Sequence, residues 1–202
     1  MKFFTKELLG FTGMLIAAYL ILTHSTGFSR SVGAVGSAYK GRLDPSAIAV
    51  VGQSCGGNEA LDAGSDPRVK TAVILNSGNF HRPIPGVRGF PPPMLPGDAD
   101  LLTRVHTPLL YLIGGESDMA YKYSNADFAE LDKVPVFKAN LDGVGHDGTL
   151  WQPHGGKFAE VATQWLLWRL KHDAKAARTF NGDPCGLCKA AEWKVERKNW
   201  KK

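Results

Sequence analysis

One short stretch, residues 48–57, constrains the fold of this chain more than any other. It is Ile-Ala-Val-Val-Gly-Gln-Ser-Cys-Gly-Gly, an apolar run that ends in a glycine-rich turn and is followed by helix-compatible sequence. Such a run predicts a strand buried on both faces. Gly-x-Ser-x-Gly between a strand and a helix is typical of a nucleophile elbow, a strained turn that lifts the hydroxyl of Ser54 above the sheet. The alternative is a turn that merely packs a helix on a sheet.

The rest of the chain alternates strand-like and helix-like segments. Apolar runs at residues 69–75, 108–115 and 134–141 predict three more strands, and residues 155–178 carry apolar side chains at helical spacing. This alternation predicts an α/β fold with a mostly parallel sheet of four or five strands flanked by helices. In such sheets, ligands gather at the carboxyl ends of the strands.

Three reactive side chains follow strand ends. Ser54 follows the first predicted strand, Asp118 the third and His146 the fourth. A serine hydroxyl needs a base to take its proton, an imidazole can serve as that base, and a carboxylate orients and stabilises the protonated imidazole. The order Ser, Asp, His therefore predicts a catalytic triad, with the backbone N–H of Cys55 facing the oxyanion.

Each member of this triad has a competitor. Asp118 could instead cap the helix that follows it, which would leave Glu116 or Asp127 as the acid. His146 could be a surface histidine, with His154 as its nearest substitute. The joint arrangement at three successive strand ends favours the triad over these separate alternatives.

Over residues 39–199 the sequence resembles the serine α/β-hydrolase superfamily, and within it the dienelactone-hydrolase-like and polyester-hydrolase (cutinase-like) branch. The segments that carry the resemblance are residues 48–57, 66–69, 113–118 and 143–146 and the helix containing Trp165 and Trp168. The resemblance implies hydrolysis of carboxylic esters through an acyl-enzyme, with Ser54, Asp118 and His146 in the three roles. A serine esterase of this kind needs neither a metal ion nor an organic cofactor.

One departure from the family lies before the elbow strand. Family members place several strands there, and a loop that supplies a second oxyanion donor, whereas only 46 residues precede position 47 here. We therefore expect a partial, N-terminally shortened α/β-hydrolase fold whose exposed sheet edge favours self-association. The alternative to an esterase is a catalytically weak or inactive hydrolase remnant that acts as a binding domain.

Residues 1–30 are predicted to form a hydrophobic leader before a hydrolase-like domain at residues 31–202. Lys2 and Lys6 precede an apolar run at residues 8–22, as in a signal peptide, but the run is short for a membrane span of about 20 apolar residues. The first interpretation is a secreted or periplasmic protein, with membrane contact or anchoring through this run. The second is a cytoplasmic protein in which the run forms a packed helix.

Charge and cysteine content indicate which binding partners and which cysteine chemistry to expect. The net charge of +5 includes a basic stretch at residues 189–202, which predicts a solvated surface, and no pattern of basic and stacked aromatic residues indicates nucleic-acid binding. Cys185 and Cys188 form a C-x-x-C without the second ligand pair that zinc would need. A small structural disulfide is the first prediction, and reduced thiols or a redox dithiol are the alternatives.

A proline-rich segment is predicted to border the site. Residues 81–97 contain six prolines and predict a long surface loop. Because loops at this edge of the sheet shape substrate pockets, Phe80, Phe90 and Met94 are predicted to line a pocket for a small-molecule or polymeric ester. The alternative is a rigid connector that contacts no substrate.

Overall fold

The computed structural model describes residues 43–83 and 98–200. The strands in these ranges are β1 (Ile48–Gln53), β2 (Val69–Leu75), β3 (Leu109–Ile113), β4 (Val136–Leu141) and β5 (Trp193–Lys198). The α-helices are α1 (Cys55–Ala63), α2 (Tyr121–Glu130), α3 (Gly156–Lys171) and α4 (Ala174–Ala177). Short 3-10 helices lie at Leu101–Arg104, Pro153–Gly155 and Leu187–Lys189.

The five strands form one sheet in the order β1-β2-β3-β4-β5. Strands β1 to β4 run parallel, and β5 pairs antiparallel with β4. Every residue of β3 and β4 is buried, as expected for parallel strands covered on both faces. The predicted α/β fold with a mostly parallel sheet of four or five strands is confirmed.

Alternate residues of the central strands contribute to two separate cores, because successive side chains of a strand point to opposite faces. On one face, Leu110 and Leu112 lie in the same core as Trp165 of α3. On the other face, Tyr111 shares a core with Leu61 of α1. Full burial of a leucine side chain contributes about 1.5–3 kcal/mol. Packing on both faces therefore fixes the carboxyl edge of the sheet, where the predicted site residues lie.

The basic stretch near the C-terminus is not the solvated surface that its charge predicted, because Trp193–Lys198 forms β5. Trp193 is buried and Val195 is half-buried, whereas Lys194 and Glu196 are exposed. This period of two marks a strand covered on one face. The run of charges concealed the alternation in the sequence.

The predicted helix over residues 155–178 is also divided. α3 ends at Lys171, and His172 adopts a left-handed backbone with a φ of 54°. The carboxylate of Asp173 then accepts hydrogen bonds from the N–H groups of Lys175 and Ala176, which begins α4. An aspartate at this position is a strong N-cap, so a new helix begins here.

Several predicted features lie outside the described residues: the leader at residues 1–30, its apolar run at residues 8–22, and Phe90 and Met94 of the proline-rich loop. Among the helices in residues 43–83 and 98–200, none has the length and apolar character needed to cross a membrane. β1 pairs with β2, and no other strand of the described ranges pairs with its opposite edge. Self-association at this edge stays a prediction.

Candidate active site

The turn between β1 and α1 holds Ser54 in a strained backbone conformation, with a φ of 54° and a ψ of −123°. The turn requires glycine on both sides. A Cβ on Gly52 would lie 1.9 Å from the carbonyl oxygen of Gly56, and a Cβ on Gly57 would lie 2.4 Å from the Cβ of Ser77. Strained conformations of this kind cost about 1–3 kcal/mol and persist where the surrounding structure enforces them.

The end of β2 provides that support. The N–H of Ser54 donates to the carbonyl of Leu75 at 3.0 Å. The hydroxyl of Ser77 donates to the carbonyl of Ser54 at 2.6 Å. That carbonyl also accepts from the N–H groups of Gly57 and Asn58 at 2.9 and 3.3 Å. Both backbone polar groups of Ser54 are therefore hydrogen-bonded, and the turn is fixed to the neighbouring strand.

Ser54, His146 and Asp118, which follow three different strands, contact one another. Nε2 of His146 lies 2.8 Å from Oγ of Ser54, and its Nδ1 lies 2.7 Å from Oδ1 of Asp118. Asp118 is 3% exposed, and the imidazole is half-buried. When Nδ1–H donates to the carboxylate, Nε2 is left as the acceptor that faces the serine hydroxyl.

Four donors surround the carboxylate of Asp118. Oδ1 accepts from His146 and from the N–H of Ala120 at 2.9 Å. Oδ2 accepts from Nδ2 of Asn76 at 2.8 Å and from the N–H of Gly114 at 3.2 Å. Burial disfavours the charged form, but these four hydrogen bonds outweigh it and hold the pKa of Asp118 below its ordinary value.

Two side-chain amides hold the loop that carries His146. Nε2 of Gln53 donates to the carbonyl of His146 at 3.0 Å, and Nδ2 of Asn76 donates to the carbonyl of Gly145 at 3.1 Å. The loop also approaches the end of β3 closely, since a Cβ on Gly114 would lie 1.8 Å from the oxygen of Gly145. The position of the imidazole is thus set from the ends of three strands.

Asn76 is one of the site residues that the sequence pattern did not indicate. It is fully buried and has a φ of 45°, and its Oδ1 has no hydrogen-bond partner within the described part of the chain. The signal that could have identified it is its position, because it directly follows β2, the strand beside the one that ends at Ser54. Gln53, at the variable position of the Gly-x-Ser-x-Gly pattern, carried no comparable signal.

The competitors for the triad positions lie elsewhere. Asp127 is fully buried and accepts hydrogen bonds from the N–H of Asn79 at 2.8 Å and from the hydroxyl of Tyr111 at 3.1 Å. Glu116 and His154 are exposed. None of these three contacts Ser54 or His146 through a described hydrogen bond, so the geometry groups Ser54, His146 and Asp118.

The two other predicted site residues in the described ranges differ in their surroundings. Cys55 is the first residue of α1, and its N–H donates to no acceptor among the described residues. An N–H of this kind at a helix N-terminus can donate to an anion. Phe80 is 8% exposed and packs edge-to-face on Tyr123, with ring centroids 4.9 Å apart. A contact between Phe80 and substrate stays a prediction.

Cys185 and Cys188 are joined by a disulfide, which confirms the first prediction for the C-x-x-C. The bridge closes a local loop before β5, and Cys185, which is fully buried in the core beneath α3, packs this segment against the domain. In residues 43–83 and 98–200, no group of three or more histidine, cysteine, aspartate or glutamate side chains could hold a metal ion.

Solved structures share this α/β fold. The structure of this chain is similar to that of an esterase from Pyrobaculum calidifontis in a monoclinic crystal form, with a TM-score of 0.50 and 16% identity. The match covers 82% of this chain and 62% of the esterase, so it spans less than two thirds of that protein. The esterase domain of a Rhodothermus marinus protein gives a TM-score of 0.48 and 16% identity, over 82% of this chain and 81% of that one.

No family model matches the sequence, and no curated protein matches it. At 16% identity, the likeness to the Pyrobaculum esterase shows the fold alone. The finer resemblance to the dienelactone-hydrolase-like and polyester-hydrolase branch stays a prediction.

Proposed function

We propose that this chain is a serine hydrolase that cleaves carboxylic esters through an acyl-enzyme. The observation that supports the proposal is the contact of one imidazole with both the hydroxyl of Ser54, at 2.8 Å, and the carboxylate of Asp118, at 2.7 Å. The likeness to an esterase concerns the fold, so the proposal rests on this contact and on the strained backbone that presents Ser54.

Acylation uses each of these groups. His146 takes the proton from Ser54 as Oγ forms a bond to the ester carbonyl carbon, and the carbonyl oxygen becomes an oxyanion. The N–H of Cys55 donates to that oxygen, and one such donor contributes about 3–4 kcal/mol in the transition state. Collapse of the intermediate breaks the bond to the alkoxy group, which leaves as an alcohol with the proton from His146.

Deacylation repeats the sequence with water. His146 takes a proton from water as the oxygen attacks the acyl carbon, and then returns it to Oγ of Ser54 as the carboxylic acid leaves. Asp118 stabilises the imidazolium in both halves of the reaction. Its four hydrogen bonds keep it ionised against the effect of burial, and its pKa is accordingly low. The substrate class proposed is a small-molecule or polymeric ester.

A fluorophosphonate probe tests the assignment of Ser54. We expect one label, located at Ser54 by peptide mass spectrometry, and turnover of p-nitrophenyl acetate that falls at least about 10³-fold in Ser54→Ala. Ser65→Ala is the matched control, because Ser65 is half-buried and its hydroxyl donates to the carbonyl of Asp62. Labelling at another serine would reject the assignment.

The same experiment separates the esterase from the inactive remnant. A folded protein with neither label nor turnover would support a binding domain. The backbone of Ser54 favours the enzyme, because a φ of 54° with a ψ of −123° lies outside the left-handed helical region in which His172 is found, and such strain is typically retained at functional sites.

A further inference from the structure

A cavity of about 700 Å³ lies at the opposite end of the sheet from Ser54. The residues of its lining that matter here are Pro135, Trp168, Arg169, Asp183, Arg197 and Trp200. Pro135 comes directly before β4, whereas His146 follows its other end. The six residues of β4 span about 17 Å at the usual rise of a strand. The cavity is therefore separate from the candidate active site, and its size is typical of small-molecule pockets.

One cation in this cavity is partly desolvated and forms no ion pair within residues 43–83 and 98–200. The guanidinium of Arg169 lies over the rings of Trp168 and Trp165, with its Cζ 4.7 and 5.6 Å from their centroids. Burial lowers the pKa of Arg169, and no described acidic side chain forms an ion pair with it. The tryptophans offset part of the cost of removing this charge from water, and an anion would offset more.

Arg197 places a second guanidinium in the cavity. It is half-buried on β5, and its Nη1 donates to the carbonyl of Gly182 at 3.0 Å. It likewise forms no ion pair with a described residue. Asp183, the acidic residue of the lining, is exposed. The cavity thus has a net positive charge carried by two groups that bind carboxylates well.

Two tryptophan rings, inclined at 52° to each other, line the cavity. The ring centroids of Trp168 and Trp200 are 5.7 Å apart. Trp168 also stacks on Phe180 with an interplanar angle of 13°, which fixes the orientation of its ring. Both indoles are half-buried, so part of each is accessible from the cavity. An aromatic ligand can stack on one of these rings and meet the other at an angle, and both are favourable ring arrangements.

We propose that this cavity binds a small organic anion that carries an aromatic ring. Its carboxylate pairs with Arg169 and Arg197, whose planar guanidinium groups can each donate two hydrogen bonds. Its ring packs against Trp168 and Trp200. The exposed carboxylate of Asp183 disfavours ligands with several negative charges. This inference does not depend on the proposed hydrolase function.

Calorimetric titration of the full chain with 2-naphthoate tests the proposal, with 2-naphthamide as the uncharged analogue. We expect one molecule of 2-naphthoate per chain and binding of the amide that is at least about tenfold weaker. Arg169→Gln and Arg197→Gln should each weaken naphthoate binding about tenfold. Arg178→Gln, which removes an exposed arginine outside the lining, should leave it unchanged.

Nuclear magnetic resonance locates the ligand. Naphthoate should shift the indole N–H signals of Trp168 and Trp200, assigned by Trp→Phe replacement, and leave the imidazole signals of His146 unchanged. Circular dichroism establishes whether each variant is folded. If Arg169→Gln does not fold, Arg197→Gln alone tests the contribution of the arginines to naphthoate binding. Equal affinity for acid and amide, an equal effect of Arg178→Gln, shifts at His146 alone, or no binding at about 1 mM naphthoate would each overturn the proposal.

Discussion

Replacing Asn76 by alanine tests the candidate site through a side chain that touches the acid but not the nucleophile. Its amide donates to Oδ2 of Asp118 at 2.8 Å and to the carbonyl of Gly145 at 3.1 Å. Asn76→Ala removes both bonds and leaves the carboxylate with His146 and the N–H groups of Ala120 and Gly114. We expect a folded protein with lower ester turnover.

The magnitude follows from the donor that is lost. A hydrogen bond to a charged group contributes about 1.5–3 kcal/mol, and each 1.36 kcal/mol of transition-state stabilisation is about tenfold in rate. We therefore expect kcat/KM to fall about 10- to 100-fold. KM should change little, because Asn76 is fully buried and has no surface that a substrate could reach.

The pH profile distinguishes a role in positioning from a loss of stability. Without the amide, the charge of Asp118 is less stabilised by its surroundings, so its pKa rises and it binds the protonated imidazole more strongly. The acid limb of kcat/KM is therefore expected to move upward. Asn76→Asp should move it further, because it places a second carboxylate beside the first.

Asn79→Ala is the matched control. Asn79 is also fully buried, and its side chain donates to the carbonyl of Ala99 at 3.0 Å and accepts from the N–H of His81 at 3.1 Å. Asn79→Ala should lower the free energy of unfolding, as Asn76→Ala should, without moving the acid limb of the pH profile of kcat/KM. An equal kinetic effect of Asn79→Ala, or a kcat/KM of Asn76→Ala within about twofold of the wild type, would refute the reasoning.

Three further predictions concern stability. Cys185 and Cys188 are three residues apart, so reduction should lower the free energy of unfolding by about 2 kcal/mol on the chain-entropy model, as measured by urea denaturation with and without a phosphine reductant. Burial raises the pKa of Asp127 to about 6 from an ordinary value of 3.8. Between pH 3.8 and about 6 the native state therefore binds more protons than the unfolded state. The contribution of Asp127 to the free energy of unfolding is fully present below pH 3.8 and decreases by up to about 3 kcal/mol as the pH rises through 6. The difference in unfolding free energy between wild type and Asp127→Asn, followed against pH, should show this decrease, and a flat difference would contradict it. Gly52→Ala should prevent a stable elbow, because its Cβ would lie 1.9 Å from a carbonyl oxygen. Gly64→Ala is the control, because the atom nearest to its Cβ is 3.1 Å away. Thermal denaturation should show a much larger loss of stability for Gly52→Ala than for Gly64→Ala.

The sequence predicted those parts of the fold whose local signals agree with their surroundings. β2 occupies residues 69–75 as expected, since a strand buried on both faces appears as an apolar run bounded by turn residues. β5 was missed because lysine, arginine and glutamate obscure a strand in which Trp193 and Val195 alone face the core. The end of α3 was missed because the capping role of Asp173 is a local preference that a continuous amphipathic pattern concealed.

For the candidate site, the elbow motif and the order of the three reactive residues were informative, whereas the supporting amides carried no local signal. Ser54, Asp118 and His146 could be grouped because the carboxyl ends of parallel strands lie at one edge of a sheet. Gln53 and Asn76 could not, because an amide after a strand is commonplace. Their roles depend on which carbonyls the His146 loop presents to them, and that is a property of the tertiary structure.

The turn after β2 contains several energetically unfavourable local features. Asn76 has a positive φ and a buried oxygen without a partner in the described residues, and a buried unsatisfied polar atom costs about 1–3 kcal/mol. Asn76 donates to Asp118, while its neighbour Ser77 donates to the carbonyl of Ser54. Two consecutive side chains therefore hold the acid and the nucleophile from one turn. It follows that the separation of Ser54 and Asp118, which a single imidazole must bridge, is set by the end of β2 as much as by the elbow itself.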